Sequence, residues 1–185
     1  MKFYLLRHGQ TDWNLEGRLQ GRKDIPMNDS GREQMLTVAE HLQELNLQVD
    51  LIVSSPLDRA VESAKIVAGQ IGFGGNIIYD DDFTERSFGF AEGIVWSGDM
   101  NLDDEQCDAE SVEDLCRRAE KAVGKYMCCE DKNILIVAHG AIMSAVKSVL
   151  SQGRLGYYDS SIPIIQGKVL CCEITDEDKR NFYYL

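Results

Sequence analysis

Residues 2–11 read KFYLLRHGQT, and the interpretation of the whole chain starts from this stretch. The apolar run at residues 3–6 is too short for a helix and predicts a buried strand. Arg7 and His8 follow it, and Gly9 allows a sharp turn because it has no Cβ. In open α/β sheets the ligand crevice lies beyond the carboxyl ends of the strands. The stretch therefore places a cation and an imidazole where a ligand would bind.

Three further motifs extend this pattern along the chain. Residues 51–60 read LIVSSPLDRA, a short apolar run followed by polar residues and an arginine. Residues 134–140 read ILIVAHG, a second buried-strand pattern that ends on a histidine. Residues 85–89 read ERSFG and lie between these two motifs. Two predicted strands thus end, like the first, on side chains that can carry chemistry.

With these four motifs in this order, the sequence resembles the histidine phosphatase superfamily, whose best-known branch is the cofactor-dependent phosphoglycerate mutases. The matching patterns are Arg-His-Gly-x-Thr-x-x-Asn, Ser-Ser-Pro-x-x-Arg-Ala, Glu-Arg-x-Phe-Gly and a final His-Gly. One such motif is weakly specific, whereas four in sequence over nearly the whole chain are strongly specific. The resemblance and the alternation of predicted strands and helices imply a three-layer α/β/α sandwich with a mostly parallel central sheet, phosphoglycerate mutase-like.

The remaining elements follow from periodicity and from turn residues. Ser30 is expected to be the N-cap of a helix over residues 31–45, which has apolar side chains on one face. Residues 168–174 and 181–184 predict a terminal hairpin at the sheet edge. Further helices are predicted over residues 57–71, 110–128 and 141–150, and a short strand over residues 76–79. We expect residues 1–185 to form a single domain, because a chain of this length can bury one core.

Composition restricts the partners of the chain. Lys and Arg total 19 against 31 Asp and Glu, a formal charge of −12, which argues against nucleic acid because its backbone requires a basic surface. No apolar run is long enough to cross a bilayer and no basic-then-apolar leader is present, so we expect neither a membrane partner nor secretion. The cysteines form no Cys-x-x-Cys pair and are expected to be reduced thiols in the cytoplasm.

The resemblance implies catalytic roles for five residues. His8 would attack phosphorus and form a phosphohistidine, and His139 would hydrogen-bond a phosphoryl oxygen. Arg7 and Arg59 would clamp the phosphoryl group and would keep His8 unprotonated, because like charges lower the pKa of a histidine. Glu85 would protonate the departing alkoxide and then activate water. Composition by itself would favour a solvated carboxylate in an acidic segment for Glu85. Only the surrounding Glu-Arg-x-Phe-Gly motif favours the catalytic role.

The polar loop after the first strand supplies candidates for substrate binding, since long loops in compact domains are usually functional. Thr11 and Asn14 can donate hydrogen bonds to phosphate oxygens. Arg18 and Arg22 can supply charge, or can equally be solvated surface residues. The candidate substrate-binding residues are Thr11, Asn14, Arg18, Gln20, Gly21 and Gly140. No cluster has the spacing of metal ligands, and side chains supply the cations, so we expect no metal and no other cofactor.

The segment after Glu85 separates the activities found within the resemblance. Mutases carry Lys and Arg in this lid to hold a doubly phosphorylated intermediate, whereas residues 87–116 contain neither. The sequence therefore favours a metal-independent phosphomonoester hydrolase of the histidine acid type, acting on a small phosphorylated metabolite. A cofactor-dependent phosphoglycerate mutase is the rival enzyme. A non-catalytic scaffold that retains the fold is the alternative of another class, although such proteins usually lose the nucleophile or the acid.

Substrate preference is also read from this segment. Its carboxylates, between residues 92 and 114, would repel a second anionic group on the substrate. Its apolar side chains could face the leaving group or simply pack the loop: Phe88, Phe90, Ile94, Val95 and Trp96. The substrate itself stays open between a sugar phosphate, a nucleotide-like ester such as a cobalamin-precursor phosphate, and a phosphopeptide. The sequence makes no prediction of the oligomeric state.

Overall fold

The computed structural model describes residues 1–98, 100–102, 107–128, 132–175 and 179–185. Within these residues, six strands form one sheet in the order β3-β2-β4-β1-β5-β6. In chain order they are β1 Lys2–Arg7, β2 Leu51–Ser54, β3 Ile78–Tyr79, β4 Asn133–Ala138, β5 Val169–Ile174 and β6 Arg180–Tyr184. Strands β1 to β4 pair in parallel, and β5 and β6 pair antiparallel at one edge. The predicted mostly parallel sheet and its terminal hairpin are confirmed.

The α-helices of the described residues are α1 Asp12–Leu15, α2 Asp29–Glu44, α3 Asp58–Gln70, α4 Val112–Met127 and α5 Gly140–Leu150. Two short 3₁₀ turns, Asp81–Phe83 and Gly89–Ala91, lie between β3 and α4. The predicted N-cap of α2 is wrong. The helix begins at Asp29, so the side chain of Asn28, and not that of Ser30, accepts a hydrogen bond from the amide of Gly31 at 2.8 Å. None of the described helices combines the length and the apolar character that crossing a bilayer requires.

Strand β1 shows why the helices lie on both faces of the sheet. Its four central side chains are all buried, and successive side chains of a strand point to opposite faces. Phe3 and Leu5 pack into a core with α4 and α5. Tyr4 and Leu6 pack into a second core with α2 and α3. One continuous apolar run thus supports two helical layers, and the predicted three-layer α/β/α sandwich is confirmed.

The parallel strands bring the predicted motifs to one edge of the sheet. Arg7 at the end of β1 lies beside Ala138 at the end of β4, and the ends of β2 and β4 are adjacent as well. His8, Ser55 and His139 therefore emerge next to one another. Gly9 serves close packing here, because a Cβ on it would lie 2.4 Å from the carbonyl oxygen of Gly31 in α2.

Candidate active site

His8 is held as the tautomer that a nucleophile requires. The side chain is almost fully buried, and its Nδ1 lies 2.7 Å from the carbonyl oxygen of Gly9. Nδ1 must carry the proton to donate there, so Nε2 keeps its lone pair. The backbone around the ring is also fixed, since Gln166 Nε2 donates to the carbonyl oxygen of His8 at 2.9 Å. On the other side, the amide of Gly9 donates to Ser63 Oγ at 3.0 Å.

Two arginines lie beside His8: Arg59 is fully buried, and Arg7 is partly buried with its Nε enclosed. Arg7 Nε has no hydrogen-bond partner among the described residues, which is costly for a buried donor and suits a site for an anion. Arg59 is oriented by the loop after β1: its two terminal nitrogens donate to the carbonyl oxygens of Lys23 and Gly21, at 2.7 and 2.8 Å. Each of these nitrogens carries a second N–H, so Arg59 keeps donors for a phosphoryl group.

The electrostatics of this cluster keep His8 neutral. Burial lowers the pKa of His8 well below its ordinary value, and the charges of Arg59 and Arg7 lower it further. The hydrogen bond to Gly9 opposes this effect and is the smaller cause. Burial also lowers the pKa of Arg7 and Arg59, but a guanidinium remains charged at any physiological pH. The site therefore combines a neutral imidazole with two fixed cations.

His139 lies in the layer behind Arg59 and does not line the cleft. Its ring centroid is 5.0 Å from that of His8. Its Nδ1 accepts a hydrogen bond from Arg59 Nε at 3.2 Å, so Nε2 carries the proton and donates to Ser55 Oγ at 2.7 Å. Burial and the charge of Arg59 lower the pKa of His139 well below its ordinary value, in agreement with this neutral form. Both ring nitrogens of His139 are therefore engaged by Arg59 and Ser55, and its expected contact with a phosphoryl oxygen stays a prediction.

Glu85 is buried against the first turn of α5. Its Oε1 accepts from the amides of Arg86 at 2.9 Å and Ile142 at 3.0 Å, and its Oε2 accepts from the amide of Ala141 at 3.2 Å. The N-terminus of a helix offers unpaired N–H groups and a positive potential, which explains why this carboxylate is held there. The reading of Glu85 as a solvated carboxylate is therefore wrong.

The loop that carries Glu85 is clamped by Arg118 of α4, which the sequence analysis missed. The guanidinium donates to the carbonyl oxygens of Asp82 at 2.9 Å, Thr84 at 2.6 Å and Glu85 at 3.3 Å. Its Nε and a terminal nitrogen also bind the carboxylate of Glu110, at 2.8 and 2.7 Å. No motif marks Arg118, because its partners are backbone carbonyls far away in sequence.

A cleft of about 200 Å³ joins these elements. Most predicted site residues line it: Arg7, His8, Asn14, Arg18, Gln20, Gly21, Arg59, Glu85 and Gly140. Thr11 does not. Its side chain caps α1 by accepting from the amide of Asn14 at 3.2 Å, and its hydroxyl donates to Gln20 Oε1 at 2.9 Å. Thr11 therefore orients Gln20, whose amide nitrogen remains the group that can donate to a ligand.

The arginines at the rim are already engaged by the protein. Arg18 lines the cleft, forms an ion pair with Glu16 and donates to the carbonyl oxygen of Gly93 at 2.7 Å. Arg22 lies outside the lining, and its NH2 group is 3.5 Å from the carboxylate of Glu110, which also binds Arg118. Of the two candidate cations in this loop, the structure brings Arg18 alone to the cleft.

Four of the described carboxylates expected to repel a second anion have other partners: Glu92, Glu110, Glu113 and Asp114. Glu92 accepts from the amides of Arg22 at 3.0 Å and Phe88 at 3.2 Å. Glu113 and Asp114 form ion pairs with Arg117. Asp99, Asp103, Asp104 and Glu105 lie outside the described residues. The described acids thus give little support to a repulsive lid, and the argument against a second anion rests on the absence of cations there.

Comparisons with known proteins agree with this geometry. The family model for the histidine phosphatase superfamily (branch 1) matches residues 3–180. The chain is 36% identical over 152 residues to the uncharacterized phosphatase PhoE of Bacillus subtilis, covering 80% of this chain and 77% of that protein. It is 30% identical over 159 residues to phosphoglycerate mutase-like protein 4 of Arabidopsis thaliana, covering 77% and 67%. Among solved structures, Bacillus stearothermophilus YhfR is similar, with a TM-score of 0.80, 27% identity and coverage of 97% and 94%.

Proposed function

The chain belongs to branch 1 of the histidine phosphatase superfamily, and from that premise we propose that it is a metal-independent phosphomonoester hydrolase that works through a phosphohistidine. Its substrate would be a small phosphorylated metabolite. The observation that carries the proposal is the hydrogen bond from His8 Nδ1 to Gly9, which leaves a neutral Nε2 beside the charges of Arg59 and Arg7. We infer also that residues 1–185 form one domain, since both apolar cores pack on a single sheet.

The first half of the reaction transfers the phosphoryl group to His8. Arg7 and Arg59 would bind its oxygens and offset the charge that develops on them, which is the main task in phosphoryl transfer. His8 Nε2 would attack phosphorus while the bond to the ester oxygen breaks. Glu85 would give its proton to that oxygen, so that an alcohol leaves. In the second half, Glu85 would take a proton from water as the water oxygen attacks phosphorus, which releases phosphate and restores His8.

Hydrolysis is favoured over the mutase reaction because the arginines near the cleft have little free positive charge to offer a substrate. A mutase must hold a second anionic group of the substrate while the bound molecule reorients above the phosphohistidine. Arg18 is paired with Glu16, and neither Arg22 nor Arg118 lines the cleft, so these three arginines add little uncompensated positive charge to its rim. Residues 87–116 add neither Lys nor Arg. The non-catalytic scaffold is disfavoured because nucleophile, clamp and acid all line one cleft.

Trapping the phosphoenzyme tests the central step. Labelled substrate should leave an acid-labile, base-stable adduct on the wild-type protein and none on His8→Ala. The matched control is His41→Ala, since His41 lies exposed on α2, away from the cleft, and this variant should be labelled like the wild type. An acid-stable adduct, or normal turnover by His8→Ala, would refute the phosphohistidine.

Two further measurements separate the rival functions. Activity should survive exhaustive chelation, because the arginines carry the charge, and loss of activity with recovery on added Mg²⁺ or Zn²⁺ would refute the metal-independent mechanism. A coupled assay with 3-phosphoglycerate should show little mutase turnover relative to hydrolysis. Robust mutase activity would establish the rival instead, and labelling of neither wild-type protein nor variants by any ester would favour the scaffold.

A further inference from the structure

A second cavity, of about 400 Å³, opens beside the catalytic cleft. Leu19 and Phe88 line both spaces, so the two adjoin each other. The other described residues that line the second cavity are Arg86, Trp96, Leu102, Ser144, Tyr157 and Tyr158. Half of its lining residues are therefore aromatic. A group attached to a phosphate in the cleft would extend into this space.

The aromatic side chains around this cavity are left open to water. Tyr158 is 73% exposed and Trp96 is 45% exposed, although both belong to a concave surface. Tyr157 meets Tyr158 edge to face, with ring centroids 4.8 Å apart. Covering such rings with an apolar group removes them from water, which is favourable in proportion to the area buried. Aromatic occupants gain a further contribution from ring–ring contacts.

The wall that carries the two tyrosines is anchored to the protein core. Lys147 of α5 is buried, and its Nζ donates to the carbonyl oxygens of Asp159 at 2.7 Å and Ile162 at 2.9 Å. These carbonyls lie one and four residues after Tyr158. The same helix holds Glu85 at its N-terminus. The tyrosine wall of the cavity is therefore held by the same helix as the acid that would protonate the leaving group.

The charge of this lining favours an uncharged occupant. Arg86 is the one charged side chain among the described lining residues, and it is almost fully buried. Its Nε donates to the carbonyl oxygen of Glu110 at 2.7 Å, and its guanidinium lies 5.8 Å from the ring centroid of Phe88. It also forms a hydrogen bond with Tyr157. This cation is thereby tied to the floor of the cavity and packs there as part of it.

We propose that this cavity is the leaving-group subsite and that it selects phosphomonoesters whose alcohol carries an uncharged aromatic group. The proposal rests on the proposed function, because it takes the neighbouring cleft as the phosphoryl site. Of the apolar side chains that the sequence offers for the leaving group, Phe88 and Trp96 line this cavity. Phe90, Ile94 and Val95 do not line the cavity. The wall opposite comes from Tyr157 and Tyr158, which the sequence analysis did not consider.

The test compares substrates whose leaving alcohols have similar acidity. 2-(2-Naphthyl)ethyl phosphate and propyl phosphate are both esters of primary alcohols, so the ratio of their kcat/KM values reports the aromatic group. We expect a ratio of about ten or more in favour of the naphthyl ester, from the burial of its rings. Tyr158→Ala and Trp96→Ala should each lower this ratio severalfold. Phe90→Ala is the matched control, because Phe90 is 77% exposed outside the lining, and it should leave the ratio unchanged.

A binding measurement keeps this inference separate from the proposed function. His8→Ala protein should bind the naphthyl ester more tightly than propyl phosphate by a similar factor, and Tyr158→Ala in that background should lower this factor severalfold. A preference in binding without any turnover would support the subsite while refuting the proposed function. Turnover of both esters at equal kcat/KM, equal effects of Tyr158→Ala and Phe90→Ala, or a preference for 3-phosphoglycerate over the naphthyl ester would each overturn the inference.

Discussion

Replacing Arg118 by alanine tests how the acid loop is held. The substitution removes a guanidinium that binds three backbone carbonyls and the carboxylate of Glu110. The two side chains of the ion pair are 14% and 11% exposed, so this is a largely buried pair. Its loss leaves Glu110 with Arg22 at 3.5 Å and leaves the carbonyls without a donor from α4.

The cost follows from these contacts. Removing one partner of a buried ion pair costs about 3–5 kcal/mol, and each hydrogen bond to a charged group contributes about 1.5–3 kcal/mol. These contributions overlap because one side chain makes them all, and Arg22 compensates part of the charge on Glu110. We therefore expect the free energy of unfolding to fall by about 3 kcal/mol. At a urea slope of about 2 kcal/mol/M, the unfolding midpoint would fall by about 1.5 M.

Urea unfolding followed by circular dichroism measures this change, and Arg117→Ala is its control. Arg117 is the neighbouring residue of the same helix, is 64% exposed and pairs with Glu113 and Asp114 at the surface. Surface pairs contribute little to stability, so its midpoint should hardly move. Arg118→Ala should also slow hydrolysis of propyl phosphate more than that of 4-nitrophenyl phosphate, because a good leaving group needs no proton from Glu85.

Two outcomes would refute this reasoning. Equal unfolding midpoints for Arg118→Ala and Arg117→Ala would show that the contacts of Arg118 contribute no net stability. An equal loss of rate for propyl and 4-nitrophenyl phosphate would show that Arg118 does not act through the position of Glu85.

The remaining predictions concern His8 and its support. Since burial and the neighbouring arginines lower the pKa of His8, the neutral nucleophile persists as the pH falls, and kcat/KM should stay on its plateau through about pH 6.5. Arg7→Gln should shift the acidic fall in kcat/KM to higher pH, because it removes a positive charge beside His8. A fall in wild-type kcat/KM at or above pH 6.5 would contradict the assignment of His8 as a neutral nucleophile with a lowered pKa. Gln166→Ala should lower kcat about tenfold with little change in KM, because Gln166 positions the backbone of His8. Gln70→Ala serves as its control, because the amide of Gln70 binds Gln43 between α3 and α2, outside the cleft lining, and a change confined to KM would show that Gln166 binds substrate instead.

The sequence by itself determined the layers of the fold and the edge at which the site lies. Three short apolar runs ending on polar motifs predict parallel strands, and the carboxyl ends of parallel strands meet at one edge of a sheet. The adjacency of His8 and His139 follows from that rule without knowledge of any contact. The catalytic candidates could be predicted because each stands in a motif that resembles those of the histidine phosphatase superfamily.

Only the tertiary structure decided which way these side chains face and what holds them. His139 contacts Arg59 and Ser55 across about 80 residues of sequence, and Arg118 reaches carbonyls more than 30 residues away. Gln166 reaches His8 across 158 residues. Such contacts depend on how loops approach one another in space, and no local pattern of polarity encodes that approach. The aromatic cavity could not be predicted from local sequence either, because its walls come from distant segments that are brought together by the packing of α5 against the sheet.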